Sequence, residues 1–263
     1  MRRWTRKLLY TIFVVILITA LVVYSHGYPY IEGFQKMQTS SLFTDAYVIT
    51  LDKYPERLLR IKANAEAAGM SLKKWSGVIV TKEDAPSLPE KGIGTILFQD
   101  RTDTYFNFGV IGCFLAHRGL LEHIADKPNG LGTFICEDDI DIPKDFYTKL
   151  SAVSSEIPDD WDYIFMRKYI VKSRPVTTHI QRLEKDVTSS KNIGMWGFIV
   201  KNSSIKTKIL PVLENMTDAV DLQLAKYADK INMYLIDPPI INMDISHNNS
   251  VIKDMDEESR YEE

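Results

Sequence analysis

Four of the five positions from Glu137 to Asp141 carry a carboxylate: Glu137, Asp138, Asp139 and Asp141, set directly after the apolar run 133–136 in the stretch GTFICEDDIDIPKDF. Like charges this close repel, and each loses hydration if buried, so the cluster has to face water, a basic partner or a metal ion. Carboxylates at the end of a strand suit Mg²⁺ or Mn²⁺, cations that accept hard oxygen ligands. A cation held there can neutralise a diphosphate. With a nucleotide-sugar, it lowers the energy of the departing nucleoside diphosphate as the glycosidic bond breaks. The same residues also read as a solvated acidic turn, with Asp141 capping a helix that starts near Pro143.

The elements around the cluster alternate. AYVITL (46–51) is rich in β-branched residues and ends in the Pro-containing turn DKYPE, which predicts a buried strand and then a helix start. Leu58, Ile61, Ala65 and Ala68 recur at helical spacing, and Gly69 closes that helix. LKKWSGVIV (72–80) is a second strand candidate, followed by an irregular stretch bearing Pro and Gly. Val110, Phe114, His117, Leu121 and Ile124 mark an amphipathic helix, and His117 on its apolar stripe reads either as a core histidine or as a site contact. Strands are expected at 132–136, 162–166, 194–200 and 231–237, and a helix over 203–213 capped by Ser203 or Ser204. Strands alternating with helices imply an α/β sheet covered on both faces, and in such sheets ligands gather at the carboxyl ends of the strands. The acidic cluster lies at one such end.

The 263-residue composition is that of an ordinary folded protein, and a net charge of -3 with pI near 6.0 gives no basic field for nucleic acid. Cys113 and Cys136 are too few for a disulfide framework or a thiolate zinc site, and two buried free thiols are expected. No Gly-rich dinucleotide fingerprint or phosphate loop occurs. Residues 8–24 are uncharged, and as a helix span roughly 25 Å, close to the hydrocarbon thickness. Arg2, Arg3, Arg6 and Lys7 precede them, and no Lys or Arg follows until Lys36, so the positive-inside bias predicts a cytoplasmic N-terminus and a translocated remainder. The expected organisation is a basic tail (1–7), a single-pass type II signal anchor (8–24), a stem (25–44), a folded domain (45–245) and an acidic, disordered tail (246–263). Asn202, Asn215 and Asn248 begin glycosylation sequons, open to use if the domain is lumenal.

DAYVITLDKYPERLLRIKANAEAAG, GVIGCFLAHRGLLEHI and FICEDDIDIPKDF occur in the order and approximate spacing of glycosyltransferase family 25, and the resemblance covers about Asp45 to Asp244. It implies a GT-A-like, Rossmann-type domain that binds a UDP-sugar at its strand ends and carries out inverting transfer, commonly of galactose. The end of the first strand, Thr50 and Leu51, then borders the nucleotide, although the family usually has Asn where this chain has Thr50. Arg57 matches an arginine that pairs with phosphate or with an internal carboxylate. Gly112 and His117 match the second motif, whereas Val110 and Ala116 replace a usual Glu and Ser. Glu137, Asp138 and Asp139 match its Glu-Asp-Asp: Asp139 is the expected metal ligand, with Glu137 or Asp138 reaching the ribose or the metal, and Asp141 offering an alternative Asp-x-Asp with Asp139.

AVDLQL resembles the family's Pro-Val-Asp segment, which makes Asp221 the candidate base for the acceptor hydroxyl, against a plain helix N-terminal acid. His247 reads as a metal nitrogen or as a surface-loop histidine. The combined expectation is a membrane-anchored, Mn²⁺- or Mg²⁺-dependent transferase moving a hexose from a UDP-sugar to a hydroxyl on a glycan, glycolipid or glycoprotein. Two rivals stand beside it. One is a tethered sugar- or nucleotide-binding protein that has lost turnover, motivated by Thr50, Val110 and Ala116; the other is a metal-dependent phosphoester hydrolase.

Overall fold

In the computed structural model, residues 42–94, 108–126, 131–167, 172–185 and 194–243 are described, and all lie in one compact unit, Leu42–Glu263. The signal anchor, the stem up to residue 41 and the acidic tail expected from the sequence fall outside them; the last residues given to the stem, 42–44, belong to the folded domain, with Phe43 buried in its core and Thr44 N–H donating to Gly132 O at 3.0 Å. No helix among the described residues is long and apolar enough to cross a membrane.

The strand β1 (Asp45–Thr50) forms where β-branched and aromatic residues alternate, and its two faces feed two cores. Tyr47 and Ile49 join one cluster; Ala46 and Val48 join the other. The helix α1 (Pro55–Ala67) opens with Pro at its first turn, buries Arg57, Ile61 and Ala65, and is closed by Gly69 at a φ of 78° that a side chain would disfavour. After β2 (Lys73–Ser76) the chain leaves the ladder, so the strand expected over 72–80 is cut short. Gly77 N–H still donates to Thr50 O at 2.7 Å, but Val78 turns toward α2 (Phe108–Ala125). There its carbonyl lies where a Cβ on Gly112 would come within 2.2 Å.

The strand β3 (Gly132–Glu137) pairs parallel with β1, setting Ile49 opposite Glu137. Next come β4 (Ile140–Asp141), α3 (Phe146–Ser154), β5 (Tyr163–Phe165), β6 (Ser173–Pro175), β7 (Ile180–Leu183) and β8 (Gly197–Lys201). A helical segment follows: a short turn α4 (Asn202–Ser204), a wide turn Ile205–Ile209 and a tight turn Leu210–Val212. The chain then adds α5 (Val220–Ala225), β9 (Met233–Ile236) and β10 (Asn242–Met243). Among the described residues, eight strands form one sheet in the order β2-β1-β3-β8-β5-β9-β7-β6, in which β8 and β7 run against the other six. One face is covered by α2 and the segment 205–224, through Ile111, Phe114, Leu121 and Leu224; the other by α1 and α3, through Ile61, Phe146 and Leu150. The expected layered α/β architecture is therefore present.

Two expected caps are not. Asp141 sits in β4, paired with β10, and the N-cap position of α3 is Asp145 without a side-chain bond. Ser204 is buried and donates to Asp162 Oδ1 at 2.5 Å, while the helical segment starts at Asn202 with no capping side chain. In both cases a long-range pairing takes the polar group that local spacing assigned to a helix end.

Candidate functional site

The parallel run of β2, β1 and β3 brings three carboxyl ends to one edge of the sheet, and a cleft opens there. Its floor is Ile49, Thr50 and Leu51 of β1 and Glu137 of β3; Arg57 of α1 flanks it; Gly77 and Val78 form one wall, and Gly109, Gly112, Cys113 and Ala116 of α2 another. Asp138 and Asp139 complete it from the turn after β3. Gly112 lets α2 approach closely, since it has no Cβ to meet the Val78 carbonyl.

The three adjacent carboxylates are treated differently. Asp138 turns inward: Thr50 Oγ1 donates to its Oδ2 at 2.5 Å and Arg57 Nη1 to its Oδ1 at 3.2 Å, while Arg60 Nη2 donates to its backbone carbonyl at 2.6 Å. Burial raises its pKa, and the Thr50 hydroxyl and Arg57 oppose that rise. Glu137 is held from the helix side by His117, whose Nε2 lies 2.9 Å from Oε1, and Cys113 Sγ reaches the same oxygen at 3.7 Å.

Asp139 is the least compensated of the three. Its Oδ1 is buried without a hydrogen-bond partner among the described residues, and burial together with the charges of Glu137 and Asp138 pushes its pKa up to about 7. The orphaned oxygen of Asp139 is one donor of the kind a hard divalent cation accepts, whereas both oxygens of Asp138 and Oε1 of Glu137 already have protein partners.

The other expected site residues are more scattered. Asp141 does not line the cleft; it is exposed, and its Oδ1 accepts from Asn64 Nδ2 at 2.7 Å. Asp221 is buried at the start of α5, where its oxygens accept the backbone N–H groups of Leu222 at 2.9 Å and Gly194 at 3.2 Å. It is not a lining residue, but Glu137's charge reaches it and, after burial itself, helps to raise its pKa. Arg57 takes the internal-carboxylate option, and His117 is both a core residue and a partner of Glu137. His247 lies outside the described residues. Cys113 on the cleft wall had not been singled out for the site; its signal was the Cys-x-x-x-His spacing, which puts Cys113 and His117 on one helix face.

Among the solved structures that resemble the chain are two of different description. One is a glycosyltransferase involved in the glycosylation of the major capsid of PBCV-1, at 11% identity and a TM-score of 0.43, covering 83% of this chain and 100% of that one. The other is the inositol-1-phosphate CTP transferase from T. maritima, at 12% identity and a TM-score of 0.34, covering 84% and 78%. Likenesses of this size decide nothing about activity. No curated protein matches the chain closely enough to count as a relative. The model of glycosyltransferase family 25 (LPS biosynthesis protein) does match, over residues 43–224 and so over more than two thirds of the chain, and the protein therefore belongs to that family.

Proposed function

We propose that this family member is an inverting GT-A-type hexosyltransferase that takes a UDP-sugar, with galactose the favoured hexose, and transfers the sugar to a hydroxyl of a glycan, glycolipid or glycoprotein. The observation that carries the reading is Asp139: a carboxylate on the cleft at the strand ends, one oxygen unpartnered, its charge raised in cost by two neighbours. Asp139 would hold Mn²⁺ or Mg²⁺. A cation there supplies charge neutralisation for the departing diphosphate. Asp138, fixed by Thr50 and Arg57, sets the turn that presents Asp139. Leu51 and Val78 offer apolar walls to the donor.

On the acceptor side, Asp221 is the proposed base. Burial raises its basicity, and each of its oxygens accepts one backbone N–H, which leaves lone pairs for an acceptor hydroxyl. The membrane anchor at 8–24 belongs to the same proposal, and places the catalytic domain outside the cytoplasm.

The test is a screen of UDP-sugars with the full chain for release of UDP, with Mn²⁺ and with EDTA, alongside Asp139→Ala and Asp221→Asn. Metal-dependent release from one sugar, lost in Asp139→Ala, is the expected result. Asp221→Asn should keep UDP binding while losing transfer by about 10²-fold or more. UDP binding without turnover on any sugar or acceptor mixture would favour the tethered binding protein instead.

A further inference from the structure

Cys113 and His117 stand one helical turn apart on α2, and both side chains meet the end of β3 at a single atom, Glu137 Oε1, at 3.7 and 2.9 Å. The sulfur, a ring nitrogen and a carboxylate oxygen all lie within 4.8 Å of one another. In a tetrahedral site with bonds of about 2.0–2.3 Å the ligand atoms sit roughly 3.3–3.8 Å apart, so small side-chain adjustments close these three on one ion.

Two further observations bear on this. Cys113 and Glu137 both line the cleft, which leaves a fourth position reachable from it. His117 is 1% exposed, and its Nδ1 has no hydrogen-bond partner among the described residues, so no donor holds the proton on Nε2, and the N–H that binding sets on Nδ1 goes without an acceptor there.

We propose that Cys113, His117 and Glu137 form a three-donor site for a zinc-class divalent cation, with its fourth position open to the cleft. The donors decide the class. One sulfur, one imidazole nitrogen and one carboxylate are a mix that Zn²⁺ accepts, whereas Mg²⁺ and Mn²⁺ favour oxygen. Binding releases the thiol proton to solvent, and the imidazole keeps its single proton by moving it to Nδ1. The site shares Glu137 with the cleft edge that carries Asp139 but differs from it in donor chemistry, and its occupancy is read without any transfer reaction.

Co²⁺ is the probe, because a thiolate ligand gives it a near-ultraviolet charge-transfer band that carboxylates do not. The full chain titrated with Co²⁺ should develop that band up to one equivalent, and Zn²⁺ should bleach it. Cys113→Ser should lose the band, whereas Cys136→Ser and Asp139→Ala keep it, each shown to be folded by circular dichroism. No band in the folded wild type, or a band that survives in Cys113→Ser, overturns the proposal. Should Cys113→Ser fail to fold, alkylation of Cys113 in the wild-type chain decides: Zn²⁺ slows it if the site exists, and an unchanged rate overturns the site. Neither outcome bears on release of UDP, so this site and the transferase reading stand or fall separately.

Discussion

Asp139 pays for its position with a protonation equilibrium. Its unfolded value lies near 3.8 and its folded value near 7, raised by burial and then by Glu137 and Asp138. Between about pH 4 and 7 the folded chain therefore holds a proton that the unfolded chain has lost, and stability falls as pH rises through that window. Above about 7 both forms are ionised and the cost is complete. Asp139→Asn keeps the shape and removes the charge, so in EDTA it should be more stable than wild type at pH 8, by at most about 4 kcal/mol, and converge with it near pH 4. Thermal melts of both proteins across that range check this; parallel pH profiles would show that Asp139 carries no such burden. The carboxylates were legible in the sequence as a cluster, but not their division of labour. Asp138 finds Thr50 and Arg57 at separations of 88 and 81 residues, and Asp141 finds Asn64 at 77, which no local spacing announces.

At the scale of elements, the cleft exists because α2 lies hard against the segment after β2. A Cβ on Gly112 would meet the Val78 carbonyl oxygen at 2.2 Å, a backbone atom that cannot swing aside. Gly112→Ala should therefore push helix and segment apart, costing about 1–3 kcal/mol in urea unfolding and weakening UDP binding as the wall moves. Gly119→Ala is the matched control on the same helix: its Cβ would sit 3.7 Å from the Trp75 ring, an ordinary contact, and the substitution should be neutral or stabilising by about 0.5–1 kcal/mol. Equal losses in the two variants would remove the close approach as the cause. The elements that build this wall were mostly readable, since β1 and β3 are apolar runs ended by turns and α2 repeats at helical spacing. The end of β2 was not, because GVIV has strand composition, yet Gly77 and Val78 serve as cleft wall, Ile79 is exposed and Val80 turns into the core. Nor were β6 and β7, whose short segments SRP and IQRL carry no alternation beyond what β9 and each other supply.

For the molecule as a whole, the order of the sheet separates a ligand-bearing part from a supporting part. The cleft is made by β1, β3, the segment after β2 and the faces of α1 and α2, whereas β7 lies four places beyond β3 in the sheet, about 19 Å at the usual strand spacing. Between them β8 runs antiparallel to both β3 and β5, so the carboxyl ends of β1 and β3 open on a side where β8 begins. A ligand that binds only the folded state stabilises all of it by mass action, about 2.7 kcal/mol at a hundredfold excess over Kd. At roughly 2–4 °C per kcal/mol for a domain of this size, Mn²⁺ with UDP should raise the melting temperature by about 5–10 °C in wild type and far less in Asp139→Ala. Local openings divide the molecule more finely than melting does. At short labelling times, amide hydrogen exchange should slow on Mn²⁺ and UDP over 46–52, 109–117 and 133–139, and stay unchanged over 173–183. Protection centred on 173–183, with the three cleft segments unmoved, would put the nucleotide on the other half of the sheet and leave the carboxylate edge a structural turn.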